Sequence, residues 1–233
     1  MADDPTPGDA TPPAPEPKRE HAYASDAIRV LWDARRCIHV AECVRGLPRV
    51  FDPRRRPWVE PGAAEADAIA EVIRRCPTGA LHYERLDGGP PEPLPAQNTV
   101  ELQPDGPILV RGMIQVENDR SEWELQDLRM ALCRCGASRQ KPFCDGSHVA
   151  RQFRSGPASF GNRRAAVPEA PAVGLLRIRR QKDGPVVFYG RFLLRDGDRE
   201  LLLDGAHPFC RCGASRNKPF CDGTHGVAAF QAD

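Results

Sequence analysis

CRCGASRQKPFCDGSH (133–148) and CRCGASRNKPFCDGTH (210–225) are one sixteen-residue stretch written twice with two changes. Each has the spacing Cys-x-Cys-x8-Cys-x3-His, which sets out Cys133, Cys135, Cys144 and His148 in the first copy. In the second copy the same places hold Cys210, Cys212, Cys221 and His225. Three thiolates and one imidazole make four donors, a set that both zinc and a [2Fe–2S] cluster accept. Structural zinc sites usually separate paired cysteines by two to four residues. Here a single residue intervenes, and a strand-like Cys-x-Cys suits two thiolates on one iron of a rhomb. The third Cys and the His are left for the other iron.

The duplication extends outward. DGPILVRG (105–112) matches DGPVVFYG (183–190) at an offset of 78 residues, and the Cys/His loops match at 77, so one residue is lost between the two anchors. Each unit reads as strands rich in Val, Ile, Leu and Phe followed by a metal loop, one structural unit built twice. The nine cysteines fall into three triplets: these two, and Cys37, Cys43 and Cys76. An odd count, with no basic segment leading into an apolar one at the start, argues against a disulfide framework and for free thiols in a reducing, cytoplasmic setting. Lys and Arg total 33 against 32 Asp and Glu, a balance that speaks against a nucleic-acid binder. No apolar run approaches the roughly 18 residues of a membrane span.

The loops resemble the CDGSH iron–sulfur domain, with Ser138, Pro142, Asp145 and Gly146, then Ser215, Pro219, Asp222 and Gly223, at its fixed positions. The resemblance implies a [2Fe–2S] cluster per copy, redox activity and a β-rich cap over a cluster-binding lobe. It also implies that the two copies pair within one chain as an intramolecular pseudo-dimer, so that the chain acts as a monomer. Ser138, Asp145, Ser147, Ser215, Asp222 and Thr224 sit where hydrogen bonds to sulfur or to the ligand His are expected. An oxidised cluster with three thiolates carries one negative charge fewer than one with four. His ligation therefore raises the potential and makes it proton-linked, because protonation competes with the metal bond.

The remaining triplet lies in a different setting. WDARRCIHVAEC (32–43), VFDPRRRPWVEP (50–61) and CPTGALHY (76–83) resemble the divergent single-cluster ferredoxin domain. That resemblance makes Cys37, Cys43 and Cys76 ligands of a third cluster. Val40 stands where a ferredoxin run has its middle Cys, so one corner lacks a thiolate. A [3Fe–4S] cluster, or a labile [4Fe–4S] one, is the expectation. His39 is one position off the missing ligand and reads as a surface or packing residue. Strands are expected at 27–32, 57–60 and 79–86, with helices at 41–47 and 63–76, in the order β-α-β-α-β.

The fold class expected is α+β. A disordered tail (1–21) leads to a ferredoxin-like domain (22–87) and a Pro/Gly linker (88–96). Two CDGSH-type domains (97–153 and 175–233) follow, separated by a connector (154–174). Lys141 and Lys218 either offset cluster charge, face a partner or stand as solvated loop residues. Arg54–Arg56 read as a solvated loop, His82 and the three Trp as packing residues, and His207 has no counterpart in the first repeat, where Met130 aligns. No catalytic site is legible. The expected role is one-electron transfer or redox sensing with a protein redox partner. Cluster delivery or storage toward an apo iron–sulfur acceptor, and a zinc-binding interaction module, are the alternatives.

Overall fold

The computed structural model describes residues 21–160 and 171–232. The expected tail up to residue 20 and part of the connector (161–170) lie outside the described residues. His21, grouped with the tail on composition, instead opens strand β1 (His21–Ala24), where its ring stacks on Trp32 at 5.1 Å.

The 27–32 run forms β2 (Ile28–Trp32), with Ile28 and Val30 fully buried and Arg29 between them facing out. This is the alternation a half-buried strand imposes. β2 lies between β1 and β3 (Leu81–Arg85) in an antiparallel sheet. Helix α2 (Ala66–Arg74) covers it, burying Ile69, Ala70 and Ile73 against Ile28, Val30 and Leu81. The shorter α1 (Glu42–Gly46) stops just ahead of Pro48. The strand expected at 57–60 is reduced to one bridge, Val59 opposite Phe51. Pro57 and Pro61 flank it and have no N–H to give a ladder. The module therefore runs β-β-α-α-β, not β-α-β-α-β.

Beyond it nearly all the regular structure among the described residues is β, and across them strands far outnumber helices. β4 (Thr99–Leu102), β5 (Ile108–Glu117) and β6 (Trp123–Leu132) belong to the first repeat. β7 (Leu175–Arg180), β8 (Val186–Tyr189), β9 (Phe192–Asp196), β10 (Arg199–Leu203) and β11 (Ala206–Phe209) belong to the second. All eight form one sheet, in the order β10-β9-β4-β5-β7-β8-β11 with β6 beside β5. Each repeat's first strand pairs antiparallel with its own second strand and parallel with the other repeat. Thr99 faces Leu193, and in the mirrored place Arg177 faces Gln115. Val110, Ile114, Phe188, Phe192 and Phe209 form one core to which both repeats contribute. Buried Asn98 fastens the exchange, donating to the carbonyls of Gly174 and Arg191 at 2.9 and 3.0 Å. No helix among the described residues is long and apolar enough to cross a membrane.

The N-terminal module is joined to β6 by a buried polar cluster. Arg36 pairs with Asp127 and donates to the carbonyls of Thr78 and Arg129. Arg129 donates to the carbonyls of Ile73 and Leu81 and pairs with Glu92. His82 lies between Glu92 (2.7 Å) and Asp127 (3.1 Å). Glu92 comes from the Pro/Gly segment expected to be a spacer, which here supplies a buried carboxylate. His82 is a polar joint residue, not a plain packing one. Two guanidinium and two carboxylate groups balance, which is what allows charge to be buried here. Removing one partner strands the other. Asp127→Ala is expected to cost about 3–5 kcal/mol of stability, measured by urea unfolding. A loss within the ~0.5 kcal/mol range of surface substitutions would show that the cluster does not hold the module in place.

Candidate metal centres

β6 runs straight into the first Cys/His loop. The Cys133 N–H donates to the Pro142 carbonyl (2.8 Å), and the Cys144 N–H to the Ala131 carbonyl (2.8 Å). The third Cys is thereby laid across the strand end from the first. The second loop repeats this with Cys210 to Pro219 and Cys221 to Pro208. β6 ends at Leu132, and the bend that follows places Cys133 and Cys135 side by side while Arg134 between them reaches the Gly106 and Gln103 carbonyls.

The donors come together in pairs. Cys133 Sγ and Cys135 Sγ are 3.8 Å apart, and Cys144 Sγ lies 3.4 Å from His148 Nδ1. In the second loop the distances are 3.7 Å for Cys210–Cys212 and 3.3 Å for Cys221–His225. Among the described residues no three His, Cys, Asp or Glu side chains gather about the position of one ion. Two pairs per loop match the two irons of a rhomb, whereas a lone tetrahedral ion requires all four donors on one centre.

Backbone amides face the sulfurs: Ala137 N–H to Cys135 and Gly146 N–H to Cys144, with Ala214 to Cys212 and Gly223 to Cys221, at 3.4–3.5 Å. The polar side chains expected near sulfur have a different task. Ser138 and Ser215 donate to the carbonyls of Phe143 and Phe220 and accept from the amides of Gln140 and Asn217. Asp145 accepts from the amides of Arg139 and Ser147, and Asp222 from those of Arg216 and Thr224. Burial pushes Asp145 up, but the bonds from Ser147 and Arg139 outweigh it and hold the carboxyl at about 2. Thr224 and Arg216 likewise lower Asp222. Lys141 and Lys218 donate to the carbonyls of Ser138 and Ser215 at 2.7 Å, tying their own loops. All these groups shape the loop.

Arg134 and Arg211, the middle residues of Cys-x-Cys, were not marked by the sequence reading. Both are buried. Arg134 donates to the carbonyls of Gly106 and Gln103, and Arg211 to those of Gly184 and Gln181. They clamp each ligand loop to the Asp-Gly-Pro turn of its own repeat. The signal was available: an identical charged residue at the same place in both copies.

The two loops also touch each other. Gly136 (φ 79°) leaves no room for a side chain against the Cys212 carbonyl, nor Gly213 (φ 80°) against that of Cys135. A left-handed backbone and a neighbouring main chain both demand glycine here.

In the N-terminal module Cys37 follows a short 3-10 turn, Cys43 lies in α1, and Cys76 comes just after Arg75, the C-cap of α2, and ahead of Pro77. All three line one cavity, walled in part by Trp32 and Trp58. These two Trp therefore enclose the thiols as well as packing the core. Val40 is part of the wall and carries no donor. A separate groove of about 470 Å³ is shared by Ile38, His39, Val40 and Pro77 on one side and Asp145, His148 and Val149 on the other. Arg54–Arg56 bond to Asp52 and to local carbonyls, as a solvated loop does. His207 packs edge-on against Phe192 and bonds the Asp204 carbonyl.

Comparison with known proteins agrees with this division. Residues 23–86 match a family model described as a divergent 4Fe-4S mono-cluster. Residues 105–149 and 183–226 match one described as an iron-binding zinc finger of CDGSH type. Over 61 residues the chain is 36% identical to the uncharacterized protein YjdI of Escherichia coli K12 and equally to that of strain O157:H7. That segment is 26% of this chain and 80% of YjdI. No solved structure matches.

Burial holds the thiols of Cys43, Cys144 and Cys210 up at about 11. In the Cys133–Cys135 pair the hydrogen bond from Cys133 lowers Cys135 to about 6, while the same bond and burial raise Cys133. Two opposite pH dependences follow. In the metal-free chain the raised thiols of Cys43, Cys144 and Cys210 cost the fold stability as pH rises past the ordinary thiol value of 9.0, while the lowered Cys135 adds stability as pH rises from about 6 to that value. Metal binding requires thiolates and neutral imidazole, so the loaded chain loses its metal as pH falls. Urea unfolding of the metal-free chain above pH 9.0 and visible absorbance of the loaded one, each against pH, are expected to slope in opposite directions. Gly136→Ala is expected to cost about 1–3 kcal/mol in backbone strain and to disturb the second loop as well as its own. An unchanged second-loop spectrum would contradict the mutual contact.

Proposed function

Since the chain belongs to the divergent 4Fe-4S mono-cluster family and carries two CDGSH-type iron-binding repeats, we propose that it is a three-centre iron–sulfur protein acting in one-electron transfer or redox sensing. The observation that carries this reading is the pairing of donors in both loops, one thiol beside another and the third thiol beside an imidazole. Cys133, Cys135, Cys144 and His148 would hold one [2Fe–2S] cluster, and Cys210, Cys212, Cys221 and His225 the other. Cys37, Cys43 and Cys76 would hold a ferredoxin-type cluster, [3Fe–4S] or a labile [4Fe–4S] depending on what serves the fourth corner. When bound, such clusters supply one-electron chemistry.

The chain's own residues give that chemistry its setting. Burial of Cys133, Cys135, Cys144 and Cys210 keeps water from the sulfurs, and the backbone N–H groups aimed at them stabilise negative charge there. Arg134 and Arg211 hold the loops rigid while sending their charge to carbonyls away from the thiols. The exchanged strands and the touching loops support a reading of the two repeats as an intramolecular pseudo-dimer, which needs no second chain. The N-terminal module is read as a small α+β ferredoxin-like domain. The partner is a redox protein, the setting cytoplasmic, and the chain is a carrier with no substrate turnover of its own.

A second reading, delivery or storage of clusters toward an apo acceptor, is favoured by one observation. In the first loop His148 is half-buried while all three thiols are buried, so the imidazole there is the donor that solvent protons reach first. Protonation there would loosen the centre.

Iron and acid-labile sulfide counted on anaerobic protein are expected to give about seven irons per chain if the N-terminal centre holds three irons, and about eight if it holds four, with two two-iron centres in either case. Colourless, zinc-loaded native protein would refute the iron–sulfur reading. His148→Cys is expected to lower the potential of the first loop's centre and flatten its pH dependence. Voltammetry across pH that leaves both unchanged would remove His148 from the ligand set.

A further inference from the structure

Each CDGSH-type loop completes three thiols with one imidazole. The N-terminal cavity also presents three thiols, and it too has a histidine in its wall: His39. His39 Nδ1 lies 4.0 Å from Cys37 Sγ, beside the 3.4 and 3.3 Å of the Cys–His pairs in the two loops. The other polar side chains of that wall are engaged or unsuited. Glu42 pairs with Arg45, the Thr78 hydroxyl meets Cys76 Sγ and the Ala80 N–H, and the indoles of Trp32 and Trp58 have no acceptor to offer.

The backbone points the same way. His39 (φ 57°) and Ala41 (φ 65°) both adopt the left-handed conformation, two non-glycine residues within three. Each such position costs on the order of 1 kcal/mol, and strain of this kind persists where the surroundings fix it. Here it folds the Cys37–Cys43 segment into a tight loop that carries His39 to the cavity rim beside Cys37. The ring is exposed at that rim, so it can turn toward the thiols by side-chain rotation alone.

We propose that His39 is the fourth protein ligand of the N-terminal centre, joining Cys37, Cys43 and Cys76 to hold a four-iron cluster. This rests on the reading above that the cavity holds a cluster. The chain would then use one donor formula, three cysteines and a histidine, at all three of its centres, and Val40 would not mark an empty corner.

The test compares full-length protein purified anaerobically as wild type, His39→Asn, His39→Cys and Cys76→Ala. Asparagine tolerates the left-handed backbone but is a poor iron ligand. His39→Asn is expected to lose about one iron per chain and to show a three-iron paramagnetic signal, with far-ultraviolet circular dichroism unchanged. His39→Cys, offering a thiolate from the same place, is expected to keep the full iron content. Wild-type iron and spectra in His39→Asn, together with cluster loss in Cys76→Ala, would overturn the assignment of His39 alone. Unchanged iron in Cys76→Ala would overturn the cluster beneath it. Equal loss in both His39 variants would make the turn structural and would also overturn the assignment.

Discussion

The amide exchange across the end of β6, Cys133 N–H to the Pro142 carbonyl and Cys144 N–H to that of Ala131, fixes where the ligand loop leaves the sheet and where it returns. Just past that end the chain bends, the sulfurs of Cys133 and Cys135 come within 3.8 Å, and Arg134 between them reaches toward residues 103–106. There the guanidinium finds backbone carbonyls of the Asp-Gly-Pro turn. Cys144 and His148 then need only be folded back across the strand, which the paired amide bonds of Cys133 and Cys144 accomplish. The whole β-rich half of the molecule serves to hold two such strand ends side by side.

What could be read from the sequence was mainly local. Ligand spacing and the amphipathic α2 are patterns within a few residues, and the repeat shows as near-identical short stretches. The pairing of Thr99 with Leu193 and of Gln115 with Arg177 is not local, and nothing in either strand announces a parallel partner from the other repeat. The strand at His21–Ala24 was obscured by the proline-rich composition just before it. Val59 was over-read because its neighbours are prolines, which cap a pairing at one bridge.

The polar residues around the loops were legible as important but not in what they do. Ser138 and Asp145 stand close to ligands in sequence, which suggested bonds to sulfur. In the fold their acceptors and donors are main-chain groups. Buried arginines were harder still, because Arg134, Arg211 and Arg129 are satisfied largely by carbonyls, whose positions only the tertiary structure defines.

The two ligand loops differ at two positions in sixteen, yet they do not share one environment. The first borders the N-terminal module across a groove that includes His39 and His148. The second is backed by the segment around Phe230, whose ring Arg211 meets from the second loop and Lys141 from the first. In a homodimer such twins would be bound by symmetry to change together, since one gene writes both. Two repeats written in one polypeptide are free of that tie, so each loop can take surroundings of its own.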